Sequence, residues 1–290
     1  PSWQAPEGDE GTYMCDQGCT VPAMLIHAVQ MAAVWEDPEK TLKKAEYWVK
    51  EASRQAGDMV CFAEQFATGW DPSSHRHIQG RDGPIVCGLR ALAIEYGIAI
   101  LGSFRESHDP LPRNTCIVLD SQGMERASYA KCHLLSLGGE DRCYSPGESA
   151  TVFDLSGTRL AIAICYDLRF GSLFQYYAAS NVDAVLVPAA WPASRMKHWE
   201  LFIQARALEA QAFVVGINTP ETTPVDTYCG GSMAARPSGD IACRLEDEEG
   251  RLETRIDRDI LEDARTSMPV SRDRRPALYR HLMQEEEKNR

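Results

Sequence analysis

Apolar residues recur along this chain with two different periods, and the alternation between them outlines the fold. Over 41–56, Leu42, Ala45, Val49, Ala52 and Ala56 follow steps of three and four while Lys43, Lys44, Lys50 and Glu51 stand between them, predicting an amphipathic helix. The segments 84–96 and 198–211 read similarly, and 276–287 ends the chain with a weaker helical pattern. Short apolar runs at 25–31, 59–63, 98–102, 115–120, 159–165, 184–187 and 212–218 predict strands. Strands alternating with helices define an α/β class in which a sheet carries helices on at least one face; pattern alone leaves the strand order open. The run 246–249, with Arg251 and Glu253, is charged enough to predict a solvated turn.

No repeat and no low-complexity linker divides the 290 residues, so one domain is expected over 24–290. Residues 1–23 are polar and aperiodic and read as an extension or a cloning remnant. A hydrophobic fraction of 44% with 25% charged residues excludes a disordered or fibrous chain. Lys plus Arg number 30 against 42 Asp plus Glu, and the net charge of −12 argues against nucleic acid, whose phosphates repel an acidic surface. No apolar run suits a bilayer and no basic-then-apolar leader is present, so a cytoplasmic protein without a membrane partner is expected. The ten cysteines are scattered and several lie in apolar segments, which suits buried thiols in a reducing compartment. Cys15 and Cys19 with His27 lack a second ligand pair at zinc-like spacing, and His75 and His77 sit in a loop after Pro72; no metal is expected.

Chemistry concentrates where an apolar strand ends on Cys165 and the chain turns toward a helix over 171–180. A cysteine at the positive end of a helix is biased toward thiolate; a structural cysteine closing a core strand is the competing reading. Glu64 follows the apolar run Met-Val-Cys-Phe-Ala, at another strand end. Lys131 opens Lys-Cys-His-Leu-Leu, with Glu140 nine residues on. Each could be a surface charge, but together they make a coherent acyl-transfer set.

Glu64 in Ala-Glu-Gln-Phe-Ala-Thr-Gly, Lys131 in Lys-Cys-His-Leu and Cys165 in Ile-Cys-Tyr-Asp-Leu-Arg-Phe resemble, in order and spacing, the Glu-Lys-Cys triad of the nitrilase superfamily of carbon–nitrogen hydrolases. The resemblance continues through Trp191-Pro-Ala-Ser-Arg195, His198-Trp199, Ala205 to Glu209, Gly216-Ile-Asn218 and Gly230-Gly-Ser232, spanning about 24–279. The sequence after Cys165 is similar to the aliphatic amidase and ω-amidase branch. Gly171 departs from the proline common there and puts the local turn geometry in question.

The resemblance implies a four-layer α-β-β-α sandwich, a homodimer or larger homo-oligomer, and no cofactor. It also implies roles: Cys165 as nucleophile, Glu64 as base and then acid, Lys131 with the Tyr166 backbone N–H as oxyanion donors, and Glu140 as a supporting carboxylate. The implied substrates are small carboxylate-bearing amides. Arg169 or Arg195 could bind that carboxylate, with ion pairing inside the fold as the competing use. Deaminated-glutathione-type amides, N-carbamoyl amino acids and acyl transfer are the alternatives within the family; a Cys-His protease using His133 or His198, or a silent binding scaffold, are those outside its hydrolases. The protease leaves Glu64 and Lys131 unexplained.

Overall fold

The computed structural model describes residues 23–55 and 57–289. The extension expected over 1–23, and with it Cys15 and Cys19, lies outside the described residues but for Ala23. Twelve strands form two mixed six-stranded sheets. The first runs in the order β12 (Gly250–Ile256), β1 (Met24–Gln30), β2 (Met59–Phe62), β3 (Ala99–Glu106), β4 (Arg113–Leu119), β5 (Glu125–Ala130). The second runs β11 (Ile241–Arg244), β10 (Met233–Ala235), β9 (Phe213–Ile217), β8 (Ala184–Pro188), β7 (Thr158–Ile162), β6 (Thr151–Leu155). The centre of each sheet is parallel, β1–β2–β3 and β7–β8–β9, and its flanks are antiparallel.

Strand alternation builds the layers. In the first sheet Ala28, Cys61, Leu101, Cys116 and Val118 join a core shared with the second sheet. Their neighbours Val29, Val60, Phe62, Ile100 and Ile117 instead meet helices α1 (Pro38–Arg54) and α2 (Pro84–Tyr96). Central strands covered on both faces must be apolar throughout, which is why they read as continuous runs. Helices α3 (Gly171–Ala179) and α4 (Met196–Ala210) cover the second sheet with Phe174, Tyr177, Trp199, Ile203 and Ala207, giving the α-β-β-α sandwich. α1 starts where Asp37 accepts from the Lys40 N–H at 3.1 Å and Pro38 occupies the first turn. Helices α5 (Arg258–Ser267), α6 (Val270–Asp273) and α7 (Pro276–Lys288) complete the chain. No helix among the described residues is long and apolar enough to cross a membrane.

Residues 246–249 are an exposed bend, as expected, but Arg251 and Glu253 do not belong to it: from Gly250 the chain is strand β12, antiparallel to β1. Leu252, Thr254 and Ile256 are buried while Glu253 and Arg255 are exposed, so charges on one face mask a period-two pattern. Gln30 holds the preceding run by donating to the carbonyls of Glu246 and Glu248, each at 2.6 Å.

His27 lies in β1, fully buried, with no hydrogen-bond partner at either ring nitrogen. Burial, assisted by Arg251 and opposed by Glu253 and Asp58, pulls its pKa down to about 4. Because the unfolded chain binds this proton more readily, the neutral ring's contribution is complete above about pH 6.5 and is lost as pH falls toward 4. The depression corresponds to about 3 kcal/mol at most. Urea unfolding of His27→Leu between pH 7 and 4.5 is therefore expected to show a shallower loss of stability than wild type; parallel curves would remove His27 from the acid response.

Candidate active site

Four chain segments meet at the carboxyl ends of the parallel strands, where open α/β sheets form their binding crevices. Glu64 leaves the end of β2, and its backbone N–H donates across the sandwich to the Ala189 carbonyl at 3.4 Å. Lys131 follows β5, with its backbone N–H donating to the Asn114 carbonyl at 2.9 Å. Glu140 begins a 3-10 turn, Glu140–Arg142. Cys165 follows β7 and opens the 3-10 turn Cys165–Arg169. Its φ of +44° lies in the left-handed region, strained for a side chain with a Cβ, and such strain clusters where a side chain must be presented at a set angle.

The charged side chains are buried together. Lys131 Nζ donates to Glu64 Oε1 at 2.8 Å and lies 3.0 and 2.8 Å from Glu140 Oε1 and Oε2. Asn114 Nδ2, on β4, donates to Glu64 Oε1 at 2.7 Å and Glu140 Oε1 at 3.2 Å. Backbone N–H groups complete the set: Ala190 donates to Glu64 Oε2 at 3.0 Å, and Leu135 to Glu140 Oε2 at 2.8 Å. Burial alone would lower the Lys131 pKa, but Glu140 and Glu64 outweigh it and hold the ammonium charged.

Burial pushes the Cys165 thiol well above the ordinary cysteine value, and the Glu64 carboxylate pushes it further; Lys131 and the Ala190 N–H oppose them without winning. The expected bias toward thiolate is thus corrected. α3 begins only at Gly171, so the sulfur stands at the start of a five-residue 3-10 turn and not at the N-terminus of an α-helix. The resting group is a thiol with a carboxylate poised beside it.

One buried carboxylate, Asp167, ties the cysteine turn to the lysine segment. Its Oδ2 accepts from the Ile164 N–H at 2.9 Å and the Tyr129 hydroxyl at 2.7 Å, while Oδ1 accepts from the His133 N–H at 2.9 Å. His133 Nδ1 contacts the same Oδ1 at 2.7 Å, with its ring flat on Phe170 at 3.7 Å. His198 Nδ1 faces the Arg169 guanidinium at 3.4 Å. Both imidazoles are engaged there, and the groups acting on Cys165 are Glu64, Lys131 and the Ala190 N–H. The motif residues at 216–218 and 230–232 also find a use: Asn218 accepts from the Trp191 N–H at 2.7 Å and donates to the Gly230 carbonyl at 2.7 Å, bracing the segment that carries Ala190. Gly171 leaves room for the Arg206–Glu209 pair, and Arg206 ties down the turn by donating to the Leu168 and Arg169 carbonyls at 2.9 and 3.1 Å.

Lys131 and Cys165 open onto a cavity of about 520 Å³, within the size range of small-molecule sites. Tyr166, Arg169 and Arg195 line it. Arg169 stacks over Trp191 at 4.8 Å and Phe202 at 5.4 Å. Neither arginine has a carboxylate partner among the described residues, contrary to the ion-pair use weighed for them. Burial, and more weakly the nearby charge of Arg195, pull the Arg169 pKa below the ordinary value. Pattern reading missed Asn114, Asp167, Trp70 and Tyr228; the signal available was an asparagine inside an otherwise apolar strand and an aspartate two residues after the cysteine. No group of three or more His, Cys, Asp or Glu among the described residues is arranged to hold a metal.

This fold with this site defines an amide-type carbon–nitrogen hydrolase, and the chain belongs to the carbon–nitrogen hydrolase family, whose sequence model matches residues 25–266. Similar proteins include a 2-oxoglutaramate amidase of Bacillus subtilis, 29% identical over 256 residues, which cover 88% of this chain and 98% of that protein. An omega-amidase of Xenopus laevis is 30% identical over 253 residues, 82% of this chain and 90% of that protein. Among solved structures, a CN-hydrolase superfamily protein of Xanthomonas campestris superposes with a TM-score of 0.82 at 25% identity, covering 87% of this chain and 97% of that one.

Proposed function

We propose that this hydrolase cleaves the terminal amide of small carboxylate-bearing amides, ω-amides of dicarboxylic or 2-oxo dicarboxylic acids, through a thioester on Cys165. The observation that carries the proposal is the buried ammonium of Lys131 between Glu64 and Glu140, beside a thiol that needs a base and at the floor of a cavity with two guanidiniums free of carboxylates. Cys165 attacks the amide carbonyl as its proton passes to Glu64, and the carbonyl π pair moves onto oxygen. Lys131 and the Tyr166 backbone N–H receive that oxyanion. In this reading one ammonium proton serves Glu64 and the two Glu140 oxygens share another, so that the third turns to the oxyanion. Glu64 returns its proton to the nitrogen as the C–N bond breaks and ammonia departs, then takes a proton from the water that attacks the thioester and passes it to the sulfur as the C–S bond breaks and the acid leaves.

In this reading the substrate carboxylate lies on Arg169 and Arg195; the similarity to a 2-oxoglutaramate amidase and an omega-amidase supports that substrate class. Ammonia release from such ω-amides is expected to exceed that from N-carbamoyl amino acids and from neutral amides of equal length. In Arg169→Met, KM for the charged amides is expected to rise about 10- to 100-fold with kcat little changed, the loss of one charge-assisted contact. Equal preference for neutral and charged amides would overturn the substrate class. Eight free cysteines among the described residues fit a reducing cytoplasm. Tyr279, Leu282 and Met283, exposed at helical spacing on α7, fit a homo-oligomer.

A further inference from the structure

We propose that Asn114 is a positioning residue that selects which oxygen of Glu64 takes the thiol proton. The proposal rests on the reading of Glu64 as base and goes beyond it. A carboxylate oxygen offers two lone-pair directions in its plane. On Oε1 both are filled, by Lys131 Nζ at 2.8 Å and Asn114 Nδ2 at 2.7 Å. Oε2 accepts one bond, from the Ala190 N–H at 3.0 Å, and keeps one direction open. The proposal takes Oε2 as the oxygen turned to the sulfur, which its sharing of the Ala190 N–H with Cys165 supports.

The amide of Asn114 can stand only one way. Turned over, its oxygen would face both carboxylates where its nitrogen now donates to Glu64 and Glu140. The cost of the observed orientation is visible: Asn114 Oδ1 is buried without a hydrogen-bond partner, an arrangement that folding alone does not favour. The proton step balances: the Sγ–H bond breaks, an Oε2–H bond forms, and the freed sulfur pair makes the S–C bond. The reverse movement from Oε2 delivers the proton to the leaving nitrogen. The net charge of the buried Glu64, Lys131, Glu140 and Cys165 set together with the substrate oxygen is the same before and after the step.

The titratable and charged groups around Glu64 are Lys131 after β5, Glu140 on its 3-10 turn, Cys165 after β7, Cys116 on β4 and Tyr228 beyond β9. None of them replaces the neutral amide donor. In Asn114→Ala kcat is expected to fall about 10- to 100-fold with KM nearly unchanged, because the thiol proton is then no longer directed to one oxygen of Glu64. Asn114→Ser, whose short hydroxyl restores a donor in part, is expected between the two.

Glu64→Gln is assayed alongside. If it is inactive while Asn114→Ala keeps the wild-type kcat, or changes KM and not kcat, Asn114 does not steer the proton and the inference falls alone. Wild-type turnover in Glu64→Gln removes the base itself and so the underlying reading. Failure of both Asn114 variants to fold assigns the residue to structure and also overturns the inference.

Discussion

Cys165→Ala is expected to release no ammonia from any amide, a loss of at least about 10⁴-fold, while unfolding at nearly the wild-type temperature. The nucleophile is the one group whose removal leaves no path to a thioester, so the oxyanion donors have nothing to stabilise. Little stability is lost because the thiol is small and its ionisation is disfavoured by its surroundings. Backbone strain supplies a control. Cys165 holds φ at +44°, which alanine inherits and glycine relieves. Cys165→Gly is accordingly expected to be as inactive as the alanine variant but more stable, by about 1 kcal/mol in urea unfolding. Turnover in the alanine variant would end the assignment of the nucleophile, and a glycine variant less stable than alanine would contradict the strain.

Lys131→Met has the second-largest expected effect, and it falls on both activity and stability. The ammonium is the sole cation within hydrogen-bond reach of Glu64 and Glu140 among the described residues, and all three side chains are at least 98% buried. Taking one partner from a buried ionic cluster leaves unpaired charge in a low dielectric, which costs about 3–5 kcal/mol. The oxyanion loses its charged donor at the same time, about 2.7–4 kcal/mol of transition-state stabilisation, or 10²–10³-fold in kcat. Denaturant unfolding and kcat for Lys131→Met measure the two effects separately. A variant as stable as wild type would show that Asn114 and the backbone N–H groups of Ala190 and Leu135 suffice to hold the carboxylates. Unaltered kcat would take Lys131 out of the chemistry.

The parts of this arrangement visible along the chain were those in which a polar residue interrupts an apolar run. Glu64 and Cys165 stand just past the ends of buried strands, and a short apolar run followed at once by a carboxylate is conspicuous. The central strands and the helices α1, α2 and α4 were legible for the same reason, since burial imposes period and composition together. β12 was hidden because one of its faces is exposed and charged, and β5 because Tyr129 is its one buried residue, so charge and polarity outweighed periodicity. α5 was hidden likewise, with Leu261 its one buried residue.

What pattern reading lacked was distance. The orientation of Asn114 toward two carboxylates is a property of the assembled sheet, since β4 reaches Glu64 only through β3. The resting thiol at Cys165 follows from burial, which reverses the expectation drawn from a strand-to-helix turn. For Arg169 and Arg195 the sequence left two uses open; in the fold both line the cavity, Arg169 lies over Trp191 and Phe202, and neither forms a salt bridge among the described residues.

Rapid-quench mass spectrometry tests the account most directly. Wild-type enzyme is mixed with an ω-amide, stopped in acid within the first turnover and digested. The account predicts the acyl group on the peptide containing Cys165, attached in a linkage that hydroxylamine cleaves. An acyl group on any other residue, or steady ammonia release with Cys165 unmodified throughout that turnover, would contradict it.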